Sequence, residues 1–152
     1  DAVYLPGGYP ELHAGRLAAN MRFRDGLRAA VARGAAVYGE CGGYMVMGEA
    51  LIDDAGASHA MVGLLPLVTS FAEPRLHLGY RQVETLAPSP LGNAGARFRG
   101  HEFHYASIQR EESGTRLMRA ATAAGGEART VGLADAGGRV AGSFIHLVDR
   151  AP

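Results

Sequence analysis

The single cysteine of the chain, Cys41, stands in the segment Gly39-Glu40-Cys41-Gly42-Gly43, between a short apolar run and a helical pattern. A nucleophile at a sharp strand-to-helix turn needs strained backbone angles, and flanking glycines let neighbouring segments approach it closely. The turn also places the thiol at a helix N-terminus, whose partial positive charge favours the thiolate. Because a thiolate attacks an amide carbonyl far better than a thiol, the pattern favours nucleophilic catalysis over a buried cysteine that only fills space.

Two other segments could complete such a site. Pro6-Gly7-Gly8-Tyr9 follows a second apolar run, and the backbone N–H groups of this loop, with that of Gly42, could stabilise the oxyanion formed when Cys41 attacks a carboxamide. No Gly-Lys-Ser/Thr follows, so the loop is not a phosphate loop. His146 comes just after a late strand candidate and is the predicted general base.

The elements that would position these residues alternate. Apolar runs and helical spacing follow one another as strand, helix, strand, helix, in 2–5, 11–33, 35–38 and 44–51. Gly26 weakens the middle of the first helical stretch, which could therefore be two helices. This order predicts a parallel sheet with right-handed crossovers, whose strand ends would bring both glycine segments to one edge.

The second half of the chain has a β-rich pattern. Residues 61–86 and 97–109 contain short β-favouring runs, and 130–134 and 139–144 are predicted to form a hairpin through Asp135-Ala136-Gly137-Gly138. Residues 117–124 are predicted to be a short helix or a loop. The expected fold is therefore α/β, with a flavodoxin-like, mostly parallel sheet flanked by helices and additional antiparallel strands.

Composition excludes several classes of protein. The chain of 152 residues is 47% hydrophobic and 20% charged, which is typical of one globular domain. Its 15 basic and 15 acidic residues balance without a basic cluster, so neither nucleic acid nor a membrane surface is an expected partner. No apolar stretch approaches the roughly 20 residues of a bilayer span, and no signal peptide is evident. A single cysteine rules out an internal disulfide, and the cytoplasm is the expected compartment.

Three segments together resemble the signatures of the class I glutamine amidotransferase superfamily. They are Pro6-Gly7-Gly8-Tyr9-Pro10-Glu11, Tyr38-Gly39-Glu40-Cys41-Gly42-Gly43-Tyr44 and Gly142-Ser143-Phe144-Ile145-His146. Two more stretches, 63–81 and 99–105, resemble the branch that contains the cobyrinate a,c-diamide synthases. The similarity covers nearly the whole chain, with five motifs in the same order.

The resemblance implies roles for particular residues. Cys41 would form a glutamyl thioester, His146 would be its acid–base partner, and Gly8 and Gly42 would form the oxyanion hole. The backbone around His104 and Tyr105 would line the glutamine pocket.

The chain departs from the superfamily pattern after the histidine. Most class I amidotransferases follow it with Pro-Glu, and the glutamate completes a triad, whereas Leu147-Val148 follow His146 here. Another group must then select the tautomer of the base. Glu102 is the candidate, because strand alternation places it on one face with His104; a carboxylate bonded to loop backbone is the alternative. No metal site is expected, since His101 and His104 would point to opposite faces.

The resemblance also implies what lies outside these residues. The chain would be the glutaminase domain (1–152), truncated before its first strand, and a synthetase domain would precede it in the same polypeptide. That domain would use ATP and Mg²⁺ to activate the a and c carboxylates of a corrin acceptor; no cofactor is expected in the glutaminase domain itself. Two alternatives stay open: an amidotransferase acting on cobyric acid or a cell-wall precursor, and a non-catalytic binding domain of the same fold.

Overall fold

The computed structural model describes residues 1–111 and 114–151. A 3₁₀ turn, Pro10–His13, precedes three helices, α1 (Ala14–Ala19), α2 (Met21–Ala32) and α3 (Gly42–Met47). Twelve strands are described: β1 (Ala2–Leu5), β2 (Ala36–Glu40), β3 (Ala50–Ile52), β4 (Ser58–Ala60), β5 (Leu67–Ser70), β6 (His77–Thr85), β7 (Arg97–His104), β8 (Ser107–Glu111), β9 (Thr115–Thr122), β10 (Arg129–Ala134), β11 (Val140–Ser143) and β12 (Ile145–Arg150).

The larger sheet has the order β1-β2-β11-β10-β9-β6-β7-β12, and a smaller sheet has the order β4-β3-β5-β8. The larger sheet must curl strongly. β11 and β12 are five positions apart, roughly 24 Å in a flat sheet, yet only Phe144 separates them in the chain, a span of about 7 Å at most. The curl therefore brings β7 and β12 back towards β2 and the segment around Cys41.

The α/β class and the additional antiparallel strands are confirmed. The parallel part is smaller than expected: within the described residues, β1, β2 and β11 pair in parallel, and every other pairing of the larger sheet is antiparallel. The predicted hairpin is present, since Leu133 pairs with Gly142 and Ala134 with Ala141. Both faces of β2 are covered, because Val37 and Tyr38 belong to different hydrophobic clusters, as expected for a central parallel strand.

One element prediction was wrong, and two were right in kind but wrong in their bounds. The helical stretch 11–33 does divide, but at Asn20, whose side chain accepts the Phe23 N–H and so caps α2, and not at Gly26. The helix predicted over 44–51 begins at Gly42 and ends at Met47. Residues 117–124 lie largely in β9, because pairing with β10 and β6 on its two sides and burial of Leu117 and Met118 on its two faces outweigh their helix propensity.

No helix in the described residues has both the length and the apolar character that a membrane crossing requires.

Candidate active site

Cys41 occupies the turn between β2 and α3. Its backbone has φ 50° and ψ −106°, and it is the only non-glycine residue of the described chain with positive φ. The turn is held on both sides, since Cys41 N donates to Ser143 O at 2.9 Å and Cys41 O accepts from Met45 N at 3.1 Å. The predicted strained strand-to-helix turn is therefore present.

Gly42 allows the Pro6-Gly7-Gly8 loop to approach this turn. A Cβ on Gly42 would lie 2.6 Å from Gly8 O and 2.8 Å from Gly8 N, so a side chain there would push the loop away. The backbone N–H groups of Gly8 and Gly42 both act on the Cys41 sulfur and lower the pKa of the thiol. Two N–H donors that converge on a nucleophile in this way are the arrangement that an oxyanion hole requires.

The thiol of the free protein is nonetheless a weak acid. Burial raises the pKa of Cys41 to about 11, and the Glu40 and Glu11 carboxylates act in the same direction, so the two N–H groups do not prevail. The Gly42 N–H at the start of α3 does lower the pKa of the thiol, as expected of a helix N-terminus, but desolvation of the charge outweighs it in the free protein. Cys41 Sγ donates instead to Phe103 O, at 3.6 Å.

His146 lies in β12 and is brought to Cys41 by the curl of the sheet. A Cβ on Gly7 would be 2.7 Å from His146 Cε1 and 3.7 Å from Cys41 Cβ. Both side chains therefore border the same small volume, which stays open only because residue 7 has no side chain. Gly7, rather than Gly8, is the glycine of the loop that makes room for the imidazole, and the sequence pattern did not distinguish the two.

The carboxylate that orients His146 belongs to Glu40. Glu40 Oε1 lies 3.2 Å from His146 Nδ1 and accepts the Tyr4 hydroxyl at 3.0 Å, while Oε2 accepts the Leu147 N–H at 3.2 Å. An ionised carboxylate only accepts hydrogen bonds, so it selects the tautomer with hydrogen on Nδ1 and leaves Nε2 free to accept a proton. Glu40 was not among the residues predicted from the sequence, although a charged residue that ends a buried strand is rarely without a partner.

The prediction that Glu102 orients His146 is not supported. The Glu102 carboxylate is bound by Arg81 Nε at 2.8 Å, by Arg129 Nη2 at 2.6 and 2.8 Å, and by His104 Nε2 at 3.3 Å. No hydrogen bond joins Glu102 to His146 in the described chain. The predicted shared face of Glu102 and His104 is confirmed, but it is the inner face of the curled sheet, where both are buried, whereas His146 pairs with His101 and lies on the opposite face.

One cavity of about 460 Å³ joins most of the predicted site residues. Gly8, Cys41, His104, Tyr105 and His146 all line it, together with Tyr4, Gly7, Glu40 and further residues. Gly42 lies behind Cys41, against Gly8. His104 is fixed by a bond between Nδ1 and Ala106 O at 2.9 Å and by stacking on Phe144, with ring centroids 3.8 Å apart. The segment expected to line a glutamine pocket thus forms one wall of the cavity.

His77, Glu102 and His104 form a cluster of metal-binding residue types, with ligand atoms within 4.8 Å of one another. Its chemistry does not suit a cation. Guanidinium groups bond to both Glu102 oxygens, and the two imidazoles are stacked with an interplanar angle of 7°, so their lone pairs do not converge. The cluster is better described as a buried charge network.

Comparison with known proteins shows the family of the chain. The chain belongs to the family of CobB/CobQ-like glutamine amidotransferase domains, whose model matches residues 1–151. It is 56% identical over 149 residues to the hydrogenobyrinate a,c-diamide synthase of Brucella anthropi, covering 98% of this chain and 33% of that protein. It is 54% identical over 148 residues to the synthase of that name from Rhodobacter capsulatus, covering 97% of this chain and 33% of the relative. The chain thus spans about a third of the length of these relatives.

Solved structures agree on the fold. A crystal structure of a glutamine amidotransferase matches with a TM-score of 0.58 and 21% identity, covering 95% of this chain and 69% of the other. The structure of PurLQS from Thermotoga maritima matches with a TM-score of 0.66 and 19% identity, covering 95% of this chain and 68% of the other.

Proposed function

We propose that this chain hydrolyses glutamine and supplies the ammonia for amidation of the a and c carboxylates of a cobyrinate-type corrin in cobalamin biosynthesis. The observation that carries the proposal is one cavity bordered by Cys41, His146 and Glu40, with the Gly8 and Gly42 backbones against the thiol. Family membership supports glutamine as the substrate. The names of the relatives support the diamide synthase.

In the proposed reaction His146 Nε2 takes the thiol proton as Cys41 Sγ attacks the side-chain carboxamide of glutamine. The oxyanion accepts hydrogen bonds from Gly8 and Gly42 N–H. His146 then passes the proton to the departing nitrogen, which leaves as ammonia, and a glutamyl thioester remains on Cys41. Water, deprotonated by His146, attacks the thioester, so that glutamate leaves and the thiol is restored.

Glu40 would contribute at each proton transfer. It holds the Nδ1–H of His146 and stabilises the imidazolium that forms when Nε2 is protonated. Because burial raises the pKa of Cys41 to about 11 in the free protein, the proposed reaction has His146 take the thiol proton as attack on bound glutamine occurs. Such an arrangement limits reaction of the thiol with other electrophiles.

The remaining two thirds of a polypeptide like the relatives would supply the synthetase. We propose that the ATP and Mg²⁺ sites and the corrin site lie there, in the cytoplasm, where a single free thiol stays reduced. Cobyric acid or a cell-wall precursor as acceptor is the alternative within the family. Full-length protein, ATP and glutamine incubated with each acceptor would separate these, and amide formation on hydrogenobyrinate or cobyrinate is the expected result.

Glutamine hydrolysis is tested with a diazo-ketone analogue of glutamine that alkylates the nucleophile. Mass spectrometry should locate the label on Cys41, and Cys41→Ser should give neither label nor glutamate. His146→Asn should bind glutamine but label slowly. A folded wild-type protein that releases no glutamate and takes no label would refute the proposal and favour a non-catalytic binding domain.

A further inference from the structure

The outer face of β6 and β7 carries an aromatic and aliphatic surface at the end where Leu78 and Phe103 pair. Leu78 pairs with Phe103 and Tyr80 with His101 across the two strands, and directly paired residues present their side chains on the same face of a sheet. Tyr80 contacts His101, and Phe103 contacts Tyr105, with ring centroids 5.4 and 5.8 Å apart. We define the outer patch as Leu76, Leu78, Tyr80, His101, Phe103 and Tyr105.

The polarity of these two strands is reversed at one end, over 77–81 and 100–104, whereas further along the outer face is polar, with Gln82 paired to Arg99, and the inner face is apolar, with Val83 in the core. At this end the inner face holds Arg81 and Glu102, which are joined by a partly buried ion pair, whereas Tyr80 and Leu78 on the outer face are 71% and 57% exposed. A sheet with one solvated face normally has apolar residues inside and polar residues outside. The reversal indicates that another protein surface covers this part of the outer face, since exposed contiguous apolar surfaces mark interaction sites.

The outer patch leads directly to the catalytic cavity. His146 pairs with His101 across β7 and β12, so it lies in the same row as His101 and Tyr80. Phe103 and Tyr105 belong both to the outer patch and to the wall of the cavity that contains Cys41. A body resting on the patch would therefore also cover the mouth of the cavity.

We propose that the outer patch is the docking surface for the remainder of the polypeptide, the part that consumes the ammonia. The inference rests on the proposed function. Two observations identify the occupant: the chain spans about a third of the length of its relatives, and Phe103 and Tyr105 of the patch also line the cavity in which ammonia would form. Ammonia released into bulk water would be protonated and lost as a nucleophile, so covering the mouth of this cavity couples hydrolysis to amidation.

The test uses the full-length polypeptide with Leu78→Lys and Tyr80→Lys, neither of which lines the catalytic cavity. Met21→Lys is the matched control, since Met21 is 51% exposed and lies on α2. Glutamate release, glutamine-dependent amidation and amidation with added ammonium salt are measured for each. The patch variants should keep glutamate release within a few-fold, lose at least tenfold in amide formed per glutamine hydrolysed, and keep ammonium-dependent amidation. Met21→Lys should behave as wild type.

Patch variants that couple hydrolysis to amidation as well as Met21→Lys would overturn the docking proposal while leaving glutamine hydrolysis intact. Loss of glutamate release in the wild type would instead refute the proposed function. Hydrogen exchange on the full-length polypeptide gives a second measurement: β6 and β7 amides should be less protected in Tyr80→Lys than in Met21→Lys. Equal protection in the two variants would refute the proposal.

Discussion

Replacement of Glu40 by glutamine tests the catalytic arrangement most directly. The carboxylate accepts hydrogen bonds from Tyr4 Oη, His146 Nδ1 and Leu147 N. A carboxamide has one accepting oxygen, so its NH₂ must face one of these donors. If the NH₂ faces Leu147, two N–H groups oppose each other; if it faces His146, Nδ1 must lose its hydrogen and Nε2 can no longer accept the proton of Cys41.

The size of the effect follows from the bond that is lost. A hydrogen bond to a charged group contributes about 1.5–3 kcal/mol. Because about 1.36 kcal/mol of activation free energy corresponds to a tenfold change in rate, kcat for glutamate release should fall by about 10- to 150-fold. KM for glutamine should change little, since the bond strengthens as the imidazolium forms. Tyr4→Phe is the control, because it removes a neutral donor from the same oxygen and should cost a few-fold at most.

A second readout separates orientation of the base from general damage. The negative charge of Glu40 helps to raise the pKa of Cys41, so Glu40→Gln should shift alkylation of the free thiol to lower pH while turnover falls. A merely destabilised site would not make the thiol more acidic and the enzyme slower together. If Glu40→Gln, folded as judged by circular dichroism, hydrolyses glutamine within threefold of wild type, the assignment of Glu40 is wrong.

Three further predictions concern neighbouring groups. Gly7→Ala should lower kcat at least tenfold with little loss of stability, because the added Cβ would lie 2.7 Å from His146 Cε1. Gly8→Ala should remain active, because a Cβ at residue 8 has no atom within 4 Å. Equal activity of the two variants would contradict the close approach of residue 7 to His146. Alkylation of free Cys41 by iodoacetamide should rise about tenfold per pH unit from pH 7 to 10, because its pKa is about 11, and a plateau below pH 8 would disprove this. Burial alone would raise the pKa of Glu102, but hydrogen bonds from His104 and Arg129 and the Arg129 charge outweigh burial and hold the pKa at about 2. The stability that the ionised Glu102 contributes should therefore be complete above about pH 4.5 and be lost as the pH falls towards 2. Urea unfolding at several pH values should show this loss of stability in the wild type and a smaller loss in Glu102→Gln. Glu102→Gln should still hydrolyse glutamine, unlike a variant of a base-orienting residue.

The reversal of polarity on β6 and β7 explains why Glu102 was a plausible but mistaken choice. Alternation correctly grouped Glu102 with His104 and separated both from His101 and Phe103. It could not show which group faces the thiol. That depends on the direction in which the sheet curls, and the curl arises from pairings between strands far apart in the chain.

The sequence by itself determined the α/β class and was enough to predict Cys41 as nucleophile, His146 as its base and the two glycine segments beside them, because each depends on residue types within a short stretch. A cysteine between glycines after an apolar run is a local pattern, and so is a glycine loop after a strand. Only the tertiary structure decided that Glu40 holds His146, that Gly7 makes room for the imidazole, and that residues 117–124 form a strand. Glu40 and His146 are 106 positions apart in the chain. Contacts at such a separation are set by the pairing of strands and by the curl of the sheet between β11 and β12, and neither can be read from the residue types themselves.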